Sequence, residues 1–328
     1  MILEEWANSR IFRRVRRTAF SGIWVHLPAS LRLSSPGRAY GRLLHALARR
    51  YAQRAQSFGT FFLRNKAELE LMRRLLDRNA PGSSLDLTVL ACSKGAEVYS
   101  ILWTIRSARP DLRLTTYAVD ISQEILEIAK RGVYSRRSDV IWDDCRNQNA
   151  SIFERLTHDE MAAMCEVEDD LARVRPWLKE GIIWLCGDAG DPELIGVLGY
   201  QDIVVANRFL LHMKPMAAES CLRNVARLVK PGGYLFVSGI DLDVRTKVAR
   251  EMGWKPVTDL MREIHEGDPS LRERWPLAYC GLEPFSDNRP DWKIRYASAF
   301  QIGEALRVTE NLGGGRKAYS DERERISL

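Results

Sequence analysis

The sequence lacks any run near the roughly 18 consecutive apolar residues that cross a bilayer, which argues against a transmembrane protein. Its first 17 residues carry charges but no apolar stretch ahead of a small-residue cleavage site, so no secretory signal is expected. The six cysteines, at 92, 145, 165, 186, 221 and 280, form no C-x-x-C pair. None of the five histidines falls at a zinc-ligand spacing from them, so no metal is expected. Scattered unpaired cysteines imply a reducing compartment and a cytoplasmic location. No G-x-G-x-x-G occurs, which disfavours NAD or FAD. No internal repeat is present, and no N-P-P-Y or interleaved aromatic platform supports a nucleic-acid partner.

What is present is an ordinary globular chain of 328 residues, 45% hydrophobic and 28% charged. That length suits one large α/β domain with an appendage. The net charge of +6 is unevenly placed, because residues 1–64 hold twelve Arg against Glu4 and Glu5. Three segments are expected: a basic helical region over 1–66, a catalytic domain over 67–310 with an inserted subdomain at 139–180, and a flexible tail over 311–328. In the basic region Trp6, Ile11, Phe12, Val15 and Phe20 recur near helical spacing among Arg10, Arg13, Arg14, Arg16 and Arg17. Such a face suits an acidic partner or the surface of a membrane. A solvated helix face packed on the chain's own domain is the favoured alternative. Ser34-Ser35-Pro36-Gly37 reads as a break, with a helix resuming over Tyr40–Ala55.

From Leu85 the pattern becomes strand, helix, strand, helix. Leu85–Ala91, Leu112–Val119, Ile182–Cys186, Asp202–Ala206 and Gly233–Val237 are short apolar runs that read as strands. Ala96–Arg106, Gln123–Arg131 and Ala217–Leu228 read as helices, the second N-capped by Ser122. This alternation predicts an α/β fold, a doubly wound parallel sheet with helices on both faces. Trp292–Phe300 alternates and reads as a late antiparallel strand. The stretches 139–179 and 257–289 interrupt the pattern, as segments that build a substrate side do.

The first strand runs into Ala91-Cys92-Ser93-Lys94-Gly95-Ala96-Glu97, the turn that faces ligands in a doubly wound sheet. Gly95 permits close backbone approach or a positive φ. The second strand ends in Asp120, where a carboxylate can accept both hydroxyls of a ribose diol. A plain helix-start residue is the competing role. A glycine turn followed about 25 positions later by an acid at the next strand end favours the cofactor role.

Leu90–Ser100, LACSKGAEVYS, resembles the A-G-C-S-T-G-E-E-P-Y-S motif of the CheR-type chemotaxis receptor methyltransferases. AVDISQEILEIAKRGVYS, GTFFLRN, Asp202–Met213 and Leu228–Val237 are similar to four further segments of that family, and the likeness spans roughly Phe58–Gly239. The resemblance implies a seven-stranded Rossmann-like class I fold. It also implies transfer of methyl from S-adenosylmethionine (SAM) to a protein carboxylate, leaving S-adenosylhomocysteine (SAH). Carried over by position, Thr60 and Arg64 approach cofactor or acceptor. Ala91, Cys92, Ser93 and Gly95 form the turn under the methionine part, and Glu97 sits near its amino group. Asp120 holds the ribose, Ile121 lies on the adenine, and Asp188 reaches the adenine amino group. Asn207, Arg208 and His212 fall at the acceptor, with Asn207 also at the cofactor.

Two departures bear on the acceptor. The family's Arg-Asn pair reads Asn207-Arg208, and its tyrosine reads His212. A carboxylate acceptor needs no base, whereas a hydroxyl or amine does, and His212 has a suitable pKa range. A small-molecule, lipid or glycan hydroxyl or amine is therefore the second expectation, with packing as the competing role for His212. A SAM-responsive binding module is the third. Trp275, Tyr279, Trp292 and Tyr296 are read mainly as core. His265-Glu266-Gly267-Asp268 is read as half a metal site without its partner. Asp241 and Asp243 either face the site or cap a helix.

Overall fold

Short apolar runs punctuated by Gly, Pro and Asp form strands because they are too brief to sustain a helical face. The computed structural model describes residues 22–303 apart from 53, 55, 138, 139 and 144–147, and twelve strands are seen among them. In chain order they are β1 (Ser84–Leu90), β2 (Arg113–Asp120), β3 (Val133–Ser135), β4 (Val140–Asp143), β5 (Gln148–Ser151) and β6 (Cys165–Glu168). Then follow β7 (Leu171–Val174), β8 (Ile182–Cys186), β9 (Gln201–Val205), β10 (Val229–Phe236), β11 (Lys255–Pro256) and β12 (Ala299–Gln301). The basic pattern around Arg10–Arg17, Cys145 and the expected tail over 311–328 lie outside the described residues.

Seven strands form one sheet in the order β11-β12-β10-β9-β1-β2-β8. β8, β2, β1, β9 and β10 run parallel, while β12 is antiparallel to both β10 and β11. Side chains alternate between the two faces of each strand. Leu87 and Val89 of β1, with Ala118 and Val205, join a core layer under the helices Lys66–Leu76 and Ala96–Ala108. Leu90, Val119, Val204 and Leu235 point the other way, onto the helices Pro215–Arg227 and Leu242–Glu251. Full burial of one such aliphatic side chain contributes about 1.5–3 kcal/mol, so these two layers dominate the stability of the sheet.

From β1 the chain builds outward to β2 and β8, then crosses back to β9 and β10 on the other side. The connections therefore diverge between β1 and β9, and the crevice beyond those strand ends is where such sheets bind ligands.

The stretch expected as an insertion pairs β4 with β5, and its β6 and β7 join β3, which lies just before it, in a small antiparallel sheet. The helix His158–Met164 starts at Thr157, whose side chain and that of Glu160 cap each other's backbone N–H.

Two expectations are corrected. The chain does break at Ser34, which ends the helix Ala29–Leu33, but the next helix resumes at once and not at Tyr40: the Ser34 hydroxyl accepts from Gly37 N, and Pro36 sits in the first turn, where no N–H is needed. The helix runs Ser35–Arg50. Trp292–Phe300 is not one strand but a helix, Trp292–Tyr296, followed by β12. Adjacent residues of a helix do not fall on opposite faces as those of a strand do, so Arg295 and Tyr296 can both reach the buried Glu283 carboxylate, at 2.6 and 2.8 Å.

The described part of the basic region is docked on the domain. Arg49 meets Asp241 at 3.2 Å and Asp243 at 2.6 Å. Arg54 donates to the carbonyls of Leu211 and Met213 at 2.8 and 2.7 Å. Trp24 packs edge-on against Trp275 with ring centroids 5.2 Å apart.

Candidate functional site

Two cavities open at the carboxyl edge of the sheet. The first, of about 290 Å³, lies over the ends of β1, β2 and β8. The second, of about 220 Å³, lies between the helix Ser35–Arg50, the helix Lys66–Leu76 and the segments after β9 and β10. They share Arg64, Glu97, Asn207 and Arg208 as a common wall.

The turn after β1 forms the floor of the first cavity. Ala91, Ser93 and Gly95 have φ of 50°, 52° and 84°, so the chain coils tightly and brings its backbone close to the opening. Gly95 stands behind this floor and does not line it. A Cβ there would lie 3.1 Å from that of Ala129 and 3.2 Å from the rings of Trp184 and Tyr99. The Ser93 hydroxyl donates to Phe58 O at 2.8 Å, which ties the segment before Thr60 to the turn. Cys92 is buried, and burial, with Asp120 and Glu97 adding to it, pushes its thiol well above the usual value. It packs and is no nucleophile.

Asp120, at the end of β2, is only 4% exposed. One carboxylate oxygen accepts from Ser93 N at 2.8 Å and the other from Ser122 N at 3.0 Å. Each oxygen keeps acceptor capacity beyond its one bond. Ile121 beside it is 55% exposed, an apolar surface left at the rim of a polar opening. Asp188 closes the far side, its carboxylate accepting from Gly190 N at 2.8 Å. A fixed carboxylate acceptor for a ribose diol, an exposed aliphatic face for a base and a tight backbone turn are what a nucleoside requires, so these residues fit SAM.

The common wall is organised by Asn207. Its Oδ1 accepts from Ser238 N at 2.9 Å and from the Ser238 hydroxyl at 2.8 Å. Because a backbone N–H can only donate, this fixes which end of the amide carries nitrogen. Nδ2 then donates to Glu68 at 2.6 Å and to Glu97 at 2.9 Å. Two buried carboxylates therefore share one amide. Burial foremost, then the Glu97 charge, raises Glu68 to about 7. Burial also raises Glu97, against the lowering effects of Asn207, Arg64 and Arg208. Glu68 was not among the residues expected from the sequence.

Arg64 donates to Gly59 O at 2.8 Å. Arg208, with φ of 67°, lies 3.6 Å from Asp268. Its backbone is closely overlaid by Gly239, whose Cβ, if present, would sit 2.6 Å from Arg208 Cα. His212 lines the first cavity, with Nδ1 3.2 Å from the Tyr279 hydroxyl. His265 is buried and its Nε2 pairs with Glu283 O at 2.8 Å. Asp241 makes no side-chain cap and, with Asp243, lines the second cavity while pairing with Arg49. The structure thus gathers every expected site residue except Gly95 around the first cavity.

Comparison with known proteins gives the following. The family described as CheR methyltransferase, SAM binding domain, matches residues 59–242. Chemotaxis protein methyltransferase 2 of Vibrio cholerae is 22% identical over 242 residues, 71% of this chain and 75% of that protein. The probable biofilm formation methyltransferase WspC of Pseudomonas aeruginosa is 22% identical over 220 residues, 66% of this chain. The match spans about half of that protein, 49%. Among solved structures, the magnesium protoporphyrin IX methyltransferase of Synechocystis PCC 6803 with bound SAM is 15% identical, with a TM-score of 0.31, over 78% of this chain and 86% of that one.

Proposed function

Because the chain belongs to the CheR methyltransferase family and is a SAM-dependent methyltransferase, we propose that it transfers methyl from SAM in the first cavity to a small polar acceptor admitted to the second. The wall that the two cavities share carries this reading, since methyl transfer needs donor and acceptor in line and shielded from water. SAM supplies an electrophilic methyl on a sulfonium. Asp120 holds the ribose hydroxyls, Ile121 lies on the adenine and Asp188 reaches its amino group. The Ala91–Ser93 turn carries the methionine part, with Glu97 at its amino group and Thr60 and Arg64 closing above. Asn207 positions Glu97 for that contact and Arg208 borders the acceptor, whereas His212 lines the first cavity and not the second, away from the place its reading as a base requires.

A small acceptor is favoured because the chain's own helix Ser35–Arg50 contributes Arg42, His45 and Arg49 to the wall of the second cavity. The second reading, a protein carboxylate, is supported by the family and by the names of the relatives. A cytoplasmic location belongs to the same proposal, supported by the free thiols of Cys92, Cys165, Cys186, Cys221 and Cys280. Association of the basic region with an acidic partner or a membrane surface is a separate proposal. Among the described residues no helix is long and apolar enough to cross a membrane.

Calorimetric titration with SAH tests the cofactor half: wild type binds and Asp120→Ala does not. Equal binding by both would refute the assignment of Asp120. Methyl-labelled SAM then tests the acceptor half. Base-stable label in a small-molecule fraction supports the first reading, and label in protein released as methanol by mild base supports the second.

A further inference from the structure

The second cavity holds a carboxylate that the cofactor does not explain. Glu68 is 6% exposed and lines this cavity but not the first. Its Oε1 accepts from Asn207 at 2.6 Å, while its buried Oε2 has no hydrogen-bond partner among the described residues. A buried carboxylate oxygen left unpaired is costly, and such groups mark strain, missing ligands or chemistry. Across the same cavity, Arg245 is 3% exposed and donates to the carbonyls of Val237 and Arg295, each at 2.8 Å. Its Nε is likewise buried without a partner among those residues. Glu68 and Arg245 both line this cavity, and an acceptor and a donor left unpaired in its wall match a ligand that can both give and take a hydrogen bond, as a hydroxyl does and a carboxylate does not.

We infer that Glu68 is the base of the reaction, taking the proton from a hydroxyl or amine of the small acceptor in the second cavity. This rests on the proposed methyl transfer. As the bond from acceptor oxygen or nitrogen to methyl forms, the methyl–sulfur bond breaks and its electron pair stays on sulfur, leaving the neutral thioether. The acceptor's proton passes to Glu68 Oε2, which releases it to solvent when the product leaves.

The surroundings suit that task. Glu97, on the helix Ala96–Ala108, opposes the Glu68 charge, while Arg64 and Arg245 favour it. The balance leaves Glu68 titrating at about 7, where a base is both ionised and willing to take a proton. The histidines of the same wall do not compete, because burial lowers both His45 and His265 to about 4. Asn207 is a positioning residue, since it touches Glu68 and Glu97 and holds them apart.

The test has two readouts. Infrared spectra of the unliganded protein across the neutral range should show a carboxyl group that titrates near neutrality, lost in Glu68→Gln and kept in His212→Gln. Transfer of labelled methyl from SAM to the low-molecular-weight fraction of a cell lysate should fall at least about 100-fold in Glu68→Gln, with its rising pH limb flattened. Glu68→Asp, which keeps the acid but draws it back, should retain the limb at a reduced rate. Wild-type rate and pH profile in Glu68→Gln, with transfer by the wild type intact, would overturn the role of Glu68 alone. Label confined to a base-labile protein ester would overturn it too, because a carboxylate acceptor needs no base. Absence of both SAH binding and label transfer in the wild type would instead remove the methyltransferase reading on which it rests.

Discussion

Replacing Glu68 by Gln changes one atom type in a buried site, and its effect on stability should depend on pH in a defined way. The carboxyl rises from 4.5 to about 7 in the folded protein. The folded state therefore holds this proton more tightly than the unfolded chain does. The stabilisation is full below the unfolded value and is lost as pH rises through about 7. Each pH unit between the two values is worth about 1.4 kcal/mol, so the wild type forfeits roughly 3 kcal/mol between acid and mildly alkaline solution. The Glu68→Gln variant has no such proton to lose. Its amide oxygen can keep the bond from Asn207, and its amide nitrogen replaces the unpaired Oε2. Urea unfolding of the unliganded proteins, compared at about pH 5 and pH 8.5, reads the difference directly. The variant should gain about 2–3 kcal/mol on the wild type over that interval. Two stability curves that run parallel would show that Glu68 carries an ordinary carboxyl, and the electrostatic account of the wall would fall.

Further expectations follow from other contacts. Asp120→Asn should weaken SAH binding at least about tenfold, because an amide meets the Ser93 and Ser122 N–H groups with a donor where a charged acceptor stood; calorimetry measures it. Gly239→Ala should cost about 1–3 kcal/mol in thermal unfolding and lower methyl transfer, since the new Cβ would drive into Arg208 at a positive φ. Arg49→Ala should free the basic region by leaving Asp241 and Asp243 short of a cation, so limited proteolysis should cut near residues 22–54 sooner than in the wild type.

Much of the sheet was legible because its strands are locally consistent. β1, β2, β8 and β9 are apolar runs whose ends carry Gly, Ser or Asp, and each observed boundary lies within two residues of the expected one. Asp120 was legible for the same reason, since a carboxylate at a strand end after a glycine turn has a fixed place in this topology. β10 was read short. It begins at Val229 and passes through Lys230-Pro231-Gly232-Gly233 with a shift of register, so turn-forming residues sit inside a strand. The early resumption of the helix after Ser34 has a similar origin, because residues that end one helix also begin another.

Glu68 was hidden for a different reason. Lys66-Ala67-Glu68-Leu69-Glu70 looks like an exposed helix start, and Asn65 followed by Glu68 has the spacing of a capping box. Asn65 does accept from Glu68 N at 3.3 Å, but the Glu68 side chain turns inward to Asn207, 139 positions away in the chain. Nothing local distinguishes a carboxylate that caps from one that is buried by a distant strand end. Glu70, two positions on, is the partly exposed acid that the pattern suggests, paired with Arg73 and Arg74.

The destination of the methyl group separates a small acceptor from a protein carboxylate in one experiment. Wild type and Asp120→Ala would each be incubated with methyl-labelled SAM and a cell lysate, which is then separated into protein, lipid and small-molecule fractions. Base-stable label is expected in the small-molecule fraction with the wild type and none with Asp120→Ala. Label found only in protein, and released as methanol by mild base, would contradict it.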